Sequence, residues 1–354
     1  MKLAERRRRS DLFESLPDEI VILILCKLCA TASSPSDFVT VFLTCKRLNK
    51  LGVNPLVLLN AGTEMLAVGA KNWCDEAHRF LKSCVNAGNR EAYYILGMIR
   101  FYCLQNRGSG ASLMAKAGIK SHAPALYSLA LIQFNGSGGM KNDKDLRAGV
   151  ALCARAAFLG HVDALRELGH CLLDGYGVPK NVEEGRCLLL QANARELAYI
   201  LHACKTTPFE FQSHQQRPNL SDSDEHEPEP PCAPNSVFRL LNNYRSNEPN
   251  LKPHPANRFL VEWFGLRGGM GPGPGLRMCS ADGCGRPETR NNEFRRCSGC
   301  GKVIYCSRGC QARDWRVHHK GECAPMEDWN HAIDDLEEVV DDRTVENDDD
   351  GIHV

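Results

Sequence analysis

The densest cysteine cluster of the chain lies near its C-terminus. Seven of the eighteen cysteines, with two adjacent histidines, fall between Cys279 and Cys323. In chain order they are Cys279, Cys284, Cys297, Cys300, Cys306, Cys310, His318, His319 and Cys323. A segment this short buries little apolar surface, so it usually needs a metal to fold. Seven cysteines and one histidine supply eight ligands, the number that two tetrahedral zinc sites require.

Short spacings group these side chains into pairs. Cys297 and Cys300 are separated by Ser-Gly and followed by Gly301, a pattern typical of a metal-binding turn. Cys306 and Cys310 are four residues apart, so they share a face if their segment is helical. Each pair therefore predicts half of a four-ligand site.

Either of the two adjacent histidines can complete the set. His319 precedes Cys323 by four residues, which places them about 40° apart around a helix. His318 precedes Cys323 by five residues, which places them about 140° apart. We therefore expect His319 to be the ligand and keep His318 as the alternative.

The order of the pairs predicts an interleaved arrangement of two sites. The first site is expected to comprise Cys279, Cys284, Cys306 and Cys310. The second is expected to comprise Cys297, Cys300, His319 and Cys323. Each set supplies four protein ligands and leaves no open position for water, so both zinc ions are expected to be structural and not catalytic.

The segment from Tyr305 to Gln311, followed by Asp314-Trp315 and the terminal histidine and cysteine, resembles the MYND zinc finger. Residues 279–323 depart from its usual pattern in two places: the first cysteine pair is longer, and the doubled histidine adds one residue. The resemblance implies binding of short proline-containing peptides, often Pro-x-Leu-x-Pro. The chain carries one such segment, Pro249–Pro253, which is either an internal ligand of the finger or a chance occurrence.

Residues 12–60 are predicted to form a small helical bundle. Ser15-Leu-Pro-Asp is a typical helix start, and Ser33 to Ser36 form a turn. The apolar positions of the first predicted helix are Leu16, Ile20, Leu23 and Leu28. Those of the second are Phe38, Val41, Phe42, Cys45, Leu48 and Leu51.

The segments Leu16-Pro-Asp-Glu-Ile20 and Thr44-Cys-Lys-Arg-Leu48 resemble an F-box. That resemblance implies docking onto the Skp-type adaptor of a Cullin ubiquitin ligase. The loop Ala30–Asp37 is longer than expected for an F-box. The alternative is a bundle that caps the following domain.

Residues 73–205 contain an internal repeat. Three helix starts align, at Asn89, His122 and His161, with offsets of 33 and 39 residues. A period in this range with two helices per unit predicts an α-solenoid. The Ala-x-x-x-Leu-Gly helices and the loop Gly175-Tyr-Gly-Val-Pro-Lys-Asn181 resemble Sel-like repeats, relatives of the tetratricopeptide repeat. The resemblance implies a protein-binding surface, and the alternative is a spacer.

The remaining segments differ in composition. Residues 1–11 form a basic arm, with Arg6–Arg9 as a candidate nuclear localisation patch. Residues 206–275 are a Pro/Gly-rich acidic linker, which we expect to be largely disordered. It contains the apolar segments Val237–Leu241 and Phe259–Phe264, and ends in a hinge. Residues 327–354 form an acidic tail, also expected to be disordered.

Composition excludes several classes of protein. The formal net charge is zero, and thiolate ligands offset the arginines of the finger, so we do not expect a nucleic-acid partner. The other cysteines lie scattered in apolar helical patterns, as in a reduced protein of the nucleus or cytoplasm. No apolar run is long enough to span a membrane. No catalytic constellation stands out, so we do not expect an enzyme.

We therefore expect a mostly α protein with an F-box bundle, an α-solenoid and a two-zinc finger. The expected function is a substrate-recognition adaptor of a Skp–Cullin–F-box ubiquitin ligase, which holds protein substrates or Pro-x-Leu-x-Pro peptides. The alternative is a transcriptional or chromatin scaffold that recruits co-regulators through the finger.

Overall fold

The computed structural model describes residues 15–205, 253–266 and 272–324. The predictions for the basic arm, most of the linker and the acidic tail lie outside these residues. The described part is mostly α-helical, as predicted, with one two-stranded sheet. No helix within it is long and apolar enough to cross a membrane.

Four short helices form the N-terminal bundle. They are α1 (Asp18–Thr31), α2 (Pro35–Thr44), α3 (Lys46–Gly52) and α4 (Pro55–Leu59). The predicted second helix is interrupted at Cys45, whose extended backbone separates α2 from α3. The Cys45 thiol caps α3, because it accepts a hydrogen bond from the backbone N–H of Leu48 at 3.4 Å.

The buried face of α1 matches the predicted one only in part, because Leu28 packs against the core as expected. Val21, Leu25 and Cys29 are buried, whereas Ile20 and Leu23 are exposed. The thiol of Cys29 donates to the Val57 carbonyl of α4 at 3.2 Å, which fixes the orientation of the helix. Sequence periodicity could not choose this face, because every residue from Ile20 to Leu25 is apolar.

Seven helices form the solenoid. They are α5 (Asp75–Asn86), α6 (Arg90–Met98), α7 (Arg107–Ile119), α8 (Ala123–Asn135), α9 (Leu146–Phe158), α10 (Val162–Asp174) and α11 (Val182–Lys205). The aligned positions Asn89, His122 and His161 are the N-caps of α6, α8 and α10. Each side chain accepts a hydrogen bond from the backbone N–H three residues later. These equivalent caps confirm the repeat.

Small residues let neighbouring solenoid helices approach closely. A Cβ added at Gly97 of α6 would lie 3.1 Å from the carbonyl oxygen of Gly110 in α7. A Cβ added at Gly185 of α11 would lie 2.8 Å from the carbonyl oxygen of Gly169 in α10. Backbone therefore packs on backbone at both crossings.

A helix lies where the sequence indicated linker. It is α12 (Pro255–Gly265), and its buried Phe259 and Leu260 join the core that the bundle shares with the first repeats. Phe259 packs edge-on against Trp73, with ring centroids 5.2 Å apart. The Glu262 carboxylate accepts a hydrogen bond from the Ala70 N–H at 2.8 Å. This helix therefore ties the chain entering the finger to the solenoid.

The cysteine-rich segment contains little regular structure. Strands β1 (Arg295–Arg296) and β2 (Ile304–Tyr305) pair antiparallel, with Arg295 opposite Tyr305. They are followed by helix α13 (Arg308–Asp314), a π-helical turn (Trp315–His319) and a last helical turn, α14 (Lys320–Glu322).

The finger packs directly on the solenoid. Buried Phe294 and Ile304 of the finger share one hydrophobic core with Leu126 and Leu165 of α8 and α10. The Gly/Pro segment therefore does not separate two independent bodies. Composition indicated a hinge. The contacts that hold the finger on the solenoid could not be predicted, because the residues that make them are far apart in the chain.

Candidate metal centre and its contact with the solenoid

The first predicted cysteine quartet is assembled in the structure. The sulfur atoms of Cys279, Cys284, Cys306 and Cys310 all lie within 4.8 Å of one another. Cys306 follows β2 and Cys310 lies on α13, so strand and helix together position this pair. The sulfurs of Cys284 and Cys306 are 3.6 Å apart, and those of Cys306 and Cys310 are also 3.6 Å apart.

The second predicted quartet is also assembled. Its members are Cys297, Cys300, His319 and Cys323, again with all ligand atoms within 4.8 Å of one another. The sulfurs of Cys297 and Cys323 are 3.8 Å apart. Cys300 Sγ lies 3.5 Å from His319 Nε2.

These distances fit tetrahedral zinc. Zinc–sulfur bonds of about 2.3 Å place two ligand sulfurs about 3.8 Å apart, and a shorter bond to nitrogen reduces that edge to about 3.5 Å. The observed separations of 3.6–3.8 Å between sulfurs and 3.5 Å between sulfur and nitrogen match both values. The donor sets therefore suit two closed, four-ligand metal sites.

The structure places His319, and not His318, in the second quartet. His319 is buried, whereas His318 is half-exposed and its Nδ1 lies 3.5 Å from Asp282. The π-helical turn that contains both residues explains the choice. Such a turn holds one more residue than an α-helical turn, so it absorbs the additional histidine and keeps the last ligand pair in register.

The finger and the solenoid are joined by directional hydrogen bonds. The Asn135 side-chain amide donates to the carbonyl oxygen of Cys306 at 2.9 Å. The backbone N–H of Arg308, at the start of α13, donates to the Glu167 carboxylate at 2.9 Å. Burial raises the pKa of Glu167, while Arg308 opposes this shift. A solenoid side chain thus caps a helix of the finger.

A third cluster of possible ligands was not predicted from sequence. Glu91 accepts hydrogen bonds from Nε2 of His122 at 2.9 Å and of His254 at 3.2 Å. In each histidine, Nδ1 accepts a backbone N–H, from Ala125 and Ala256 respectively. Nε2 therefore carries the proton and has no lone pair for a metal. The cluster links α6, α8 and α12.

The carboxylate at the centre of this cluster is held ionised. Burial acts to raise the pKa of Glu91, but the hydrogen bonds from His122 and His254 outweigh it and lower the pKa well below its usual value. The pattern was missed because His254 and Glu91 are 163 positions apart.

A groove of about 490 Å³ lies between the finger and the end of the solenoid. It is lined by Arg166, His170, Asp174 and Asn193 of the solenoid and by Arg308, Gln311, Ala312, Trp315 and Arg316 of the finger. Glu196 of α11 bridges the two sides of the groove, because the Glu196 carboxylate accepts hydrogen bonds from both Arg166 of the solenoid and Arg316 of the finger. The groove is therefore a joint feature of both parts.

Fold and site together define a helical-repeat protein with an N-terminal bundle and a docked two-site finger. Residues 64–152 match the family model "Plant tetratrico peptide repeats", and residues 279–323 match "MYND finger". The MYND finger and the tetratricopeptide-like repeats are thereby confirmed.

The chain belongs to the plant F-box protein family, as the resemblance indicated. It is 62% identical over 328 residues to F-box protein At1g67340 of Arabidopsis thaliana, across 92% of this chain and 84% of that protein. It is 60% identical over 317 residues to F-box protein At5g50450 of the same plant, across 90% of this chain and 86% of that protein. A Sel1 repeat protein from Oxalobacter formigenes is similar at TM-score 0.33 and 20% identity, across 54% of this chain and 50% of that chain.

Proposed function

We propose that the protein is a substrate-recognition adaptor of a Skp–Cullin–F-box ubiquitin ligase and has no catalytic role of its own. The exposed apolar side chains of the bundle carry this proposal. Leu23 of α1 is 61% exposed, Leu43 of α2 is 79% exposed and Leu56 of α4 is 57% exposed. Apolar side chains concentrated on one small bundle are typical of a surface that a partner covers.

Substitution on this surface tests the adaptor function. The double variant Leu23→Asp/Leu43→Asp introduces charge at exposed positions and leaves the buried face of α1 intact. We expect it to lose binding to a purified Skp-type adaptor in a pull-down. Ile119→Asp, at a 74% exposed apolar position of the solenoid, is the matched control and should bind normally.

The same experiment separates the ligase adaptor from the alternative scaffold. If the wild-type chain binds no Skp-type adaptor, the ligase proposal is excluded. The transcriptional or chromatin scaffold then remains as the candidate function. Normal binding by the double variant would move the docking surface elsewhere.

We propose further that the two quartets hold two structural zinc ions, with His319 as the histidine ligand. Elemental analysis of the purified chain should give two zinc ions per molecule. Cys306→Ser should lose the ion of the first quartet, and His319→Ala that of the second. His318→Ala is the matched control and should keep both ions. Loss of zinc by His318→Ala, with retention by His319→Ala, would reverse the assignment.

The groove between the finger and the solenoid is the proposed site for proline-containing substrate peptides. Trp315 contributes a 40% exposed ring and Gln311 an amide beside it, which suit the apolar and polar parts of such a peptide. Trp315→Ala should weaken binding of a Pro-x-Leu-x-Pro peptide in a titration. Val317→Ala, at an exposed position outside the groove lining, should bind as the wild type does. Equal affinities for both variants would exclude the groove.

The internal-ligand hypothesis for Pro249–Pro253 falls mostly outside the described residues. Only Pro253 is described, and its ring packs against Gly283 in the first loop of the finger. The hypothesis stays a prediction. To test it, residues 249–252 of the full chain are replaced by Gly-Ser, and a separate peptide with the natural sequence of residues 246–256 is added to the zinc-loaded variant. The hypothesis requires that the peptide bind. Absence of binding at high micromolar peptide concentration would exclude it.

A further inference from the structure

Arg286 is a buried cation at the contact between the finger and the solenoid. It follows Cys284 by two residues and is 6% exposed. Its Nη2 donates to Ser128 Oγ of α8 at 2.8 Å, and this hydroxyl also shares a hydrogen bond with the Tyr94 hydroxyl of α6 at 3.1 Å. Its Nη1 faces Cys284 Sγ at 3.7 Å.

No carboxylate neutralises this guanidinium within the described part of the chain. The next two acids along the chain are committed elsewhere, because Glu288 bonds to the Phe294 N–H and Glu293 bonds to the Thr289 N–H. A buried charge without a partner is strongly unfavourable, and arginine does not escape by losing its proton. The anionic group that the structure brings to Arg286 is therefore the first cysteine quartet.

A zinc ion held by four thiolates has a net charge of −2, which suits a neighbouring cation. We propose that Arg286 couples metal binding in the first quartet to docking of the finger on the solenoid. This inference rests on the zinc binding proposed above. The loaded site supplies the countercharge that lets Arg286 be buried against Ser128, and Arg286 in turn stabilises the loaded site. Such coupling is reciprocal.

Arg290 provides a matched control. Its guanidinium also crosses from the finger to the solenoid, donating to the Gly136 carbonyl at 2.7 Å and to the Asn135 carbonyl at 2.5 Å. It lies 3.8 Å from the Glu293 carboxylate and, among the described residues, makes no hydrogen bond to a cysteine. Removing Arg290 weakens the contact with the solenoid without changing the charge beside the first quartet.

The test measures zinc affinity in the full chain by competition with a chromophoric chelator. Arg286→Met keeps the shape of the side chain and removes its charge. We expect it to bind one of the two zinc ions on the order of tenfold more weakly, within the usual range of coupling between sites. Arg290→Met should lose clearly less affinity than Arg286→Met, because it weakens the contact with the solenoid but leaves the charge beside the first quartet unchanged. Arg286→Lys keeps the charge and should retain most of the affinity.

Arg286→Lys serves as the test variant if Arg286→Met does not fold. The second measurement is hydrogen exchange in the loop after α8. In the wild type, removal of zinc should increase exchange at residues 135–138, which hydrogen-bond to the finger. Three results would each overturn the coupling. The first is wild-type affinity for both zinc ions in Arg286→Met, and the second is an equal loss of affinity in Arg286→Met and Arg290→Met. The third is a loss in Arg286→Lys as large as in a Cys306→Ser variant. A wild-type chain that binds no zinc would instead overturn the proposed metal function.

Discussion

Three side chains at equivalent positions close the N-termini of solenoid helices, and their chemistry differs. Asn89, His122 and His161 perform the same capping role. The aligned helix starts predicted these positions, since capping depends on local sequence. The contacts of the same side chains with distant residues, such as that of His122 with Glu91, depend on the fold and could not be predicted.

The cap at His161 should make stability depend on pH. Burial lowers the pKa of His161 to about 4, and its ring packs 4.6 Å from that of Tyr127. An unfolded histidine has a pKa of about 6.5, so between pH 6.5 and 4 the unfolded state binds more protons. The contribution of His161 to stability is therefore complete above pH 6.5 and falls as the pH drops towards 4.

His161→Asn isolates this effect, because asparagine already caps the equivalent position at residue 89. Urea unfolding at pH 7 and pH 5 should show a smaller loss of stability for the variant than for the wild type. An equal loss in both proteins would mean that His161 does not cause the pH dependence.

At the metal centre, the metal-ligand candidates could be predicted from the sequence, whereas the buried arginine beside them could not. The spacing and order of the cysteine pairs predicted two quartets, and the structure brings the same side chains together. It could not identify Arg286, because nothing in the sequence distinguishes this arginine from exposed neighbours such as Arg295 and Arg296.

At the scale of elements, close helix crossings depend on particular glycines. Gly185 of α11 has no space for a side chain, because an added Cβ would lie 2.8 Å from a backbone oxygen of α10. Gly108 of α7 has no atom within 4 Å of an added Cβ. Local sequence does not distinguish these two glycines, because the contact at Gly185 is made by a different helix.

These two glycines make a matched pair for mutation. Gly185→Ala should destabilise the protein by about 1–3 kcal/mol, since the crossing must open to accept the methyl group. Gly108→Ala should be neutral or stabilise by up to about 1 kcal/mol, because alanine favours the helix. Thermal and urea unfolding measure both. A Gly185→Ala variant as stable as the wild type would mean that the α10–α11 crossing is looser than described.

The phase of α1 shows where element-level prediction fails. A run of six apolar residues fits several helical faces equally well. The contact with α4 selects Val21, Leu25 and Cys29, and so leaves Ile20 and Leu23 exposed on the face proposed to bind an adaptor.

At the scale of the whole molecule, the finger and the solenoid form one unit. The linker composition indicated a hinge, yet α12 joins the solenoid core and α13 is capped by Glu167. These contacts connect residues more than a hundred positions apart, so local sequence patterns do not predict them. The arrangement leaves the apolar side chains of the bundle exposed at one end and the groove beside Trp315 at the other, and we propose a different partner for each.

Native mass spectrometry of the zinc-loaded chain mixed with a purified Skp-type adaptor tests the central claim most directly, because one spectrum reports both metal content and complex formation. We predict a complex of one chain, one adaptor and two zinc ions. A chain that retains two zinc ions but does not bind the adaptor at micromolar concentrations would contradict the claim.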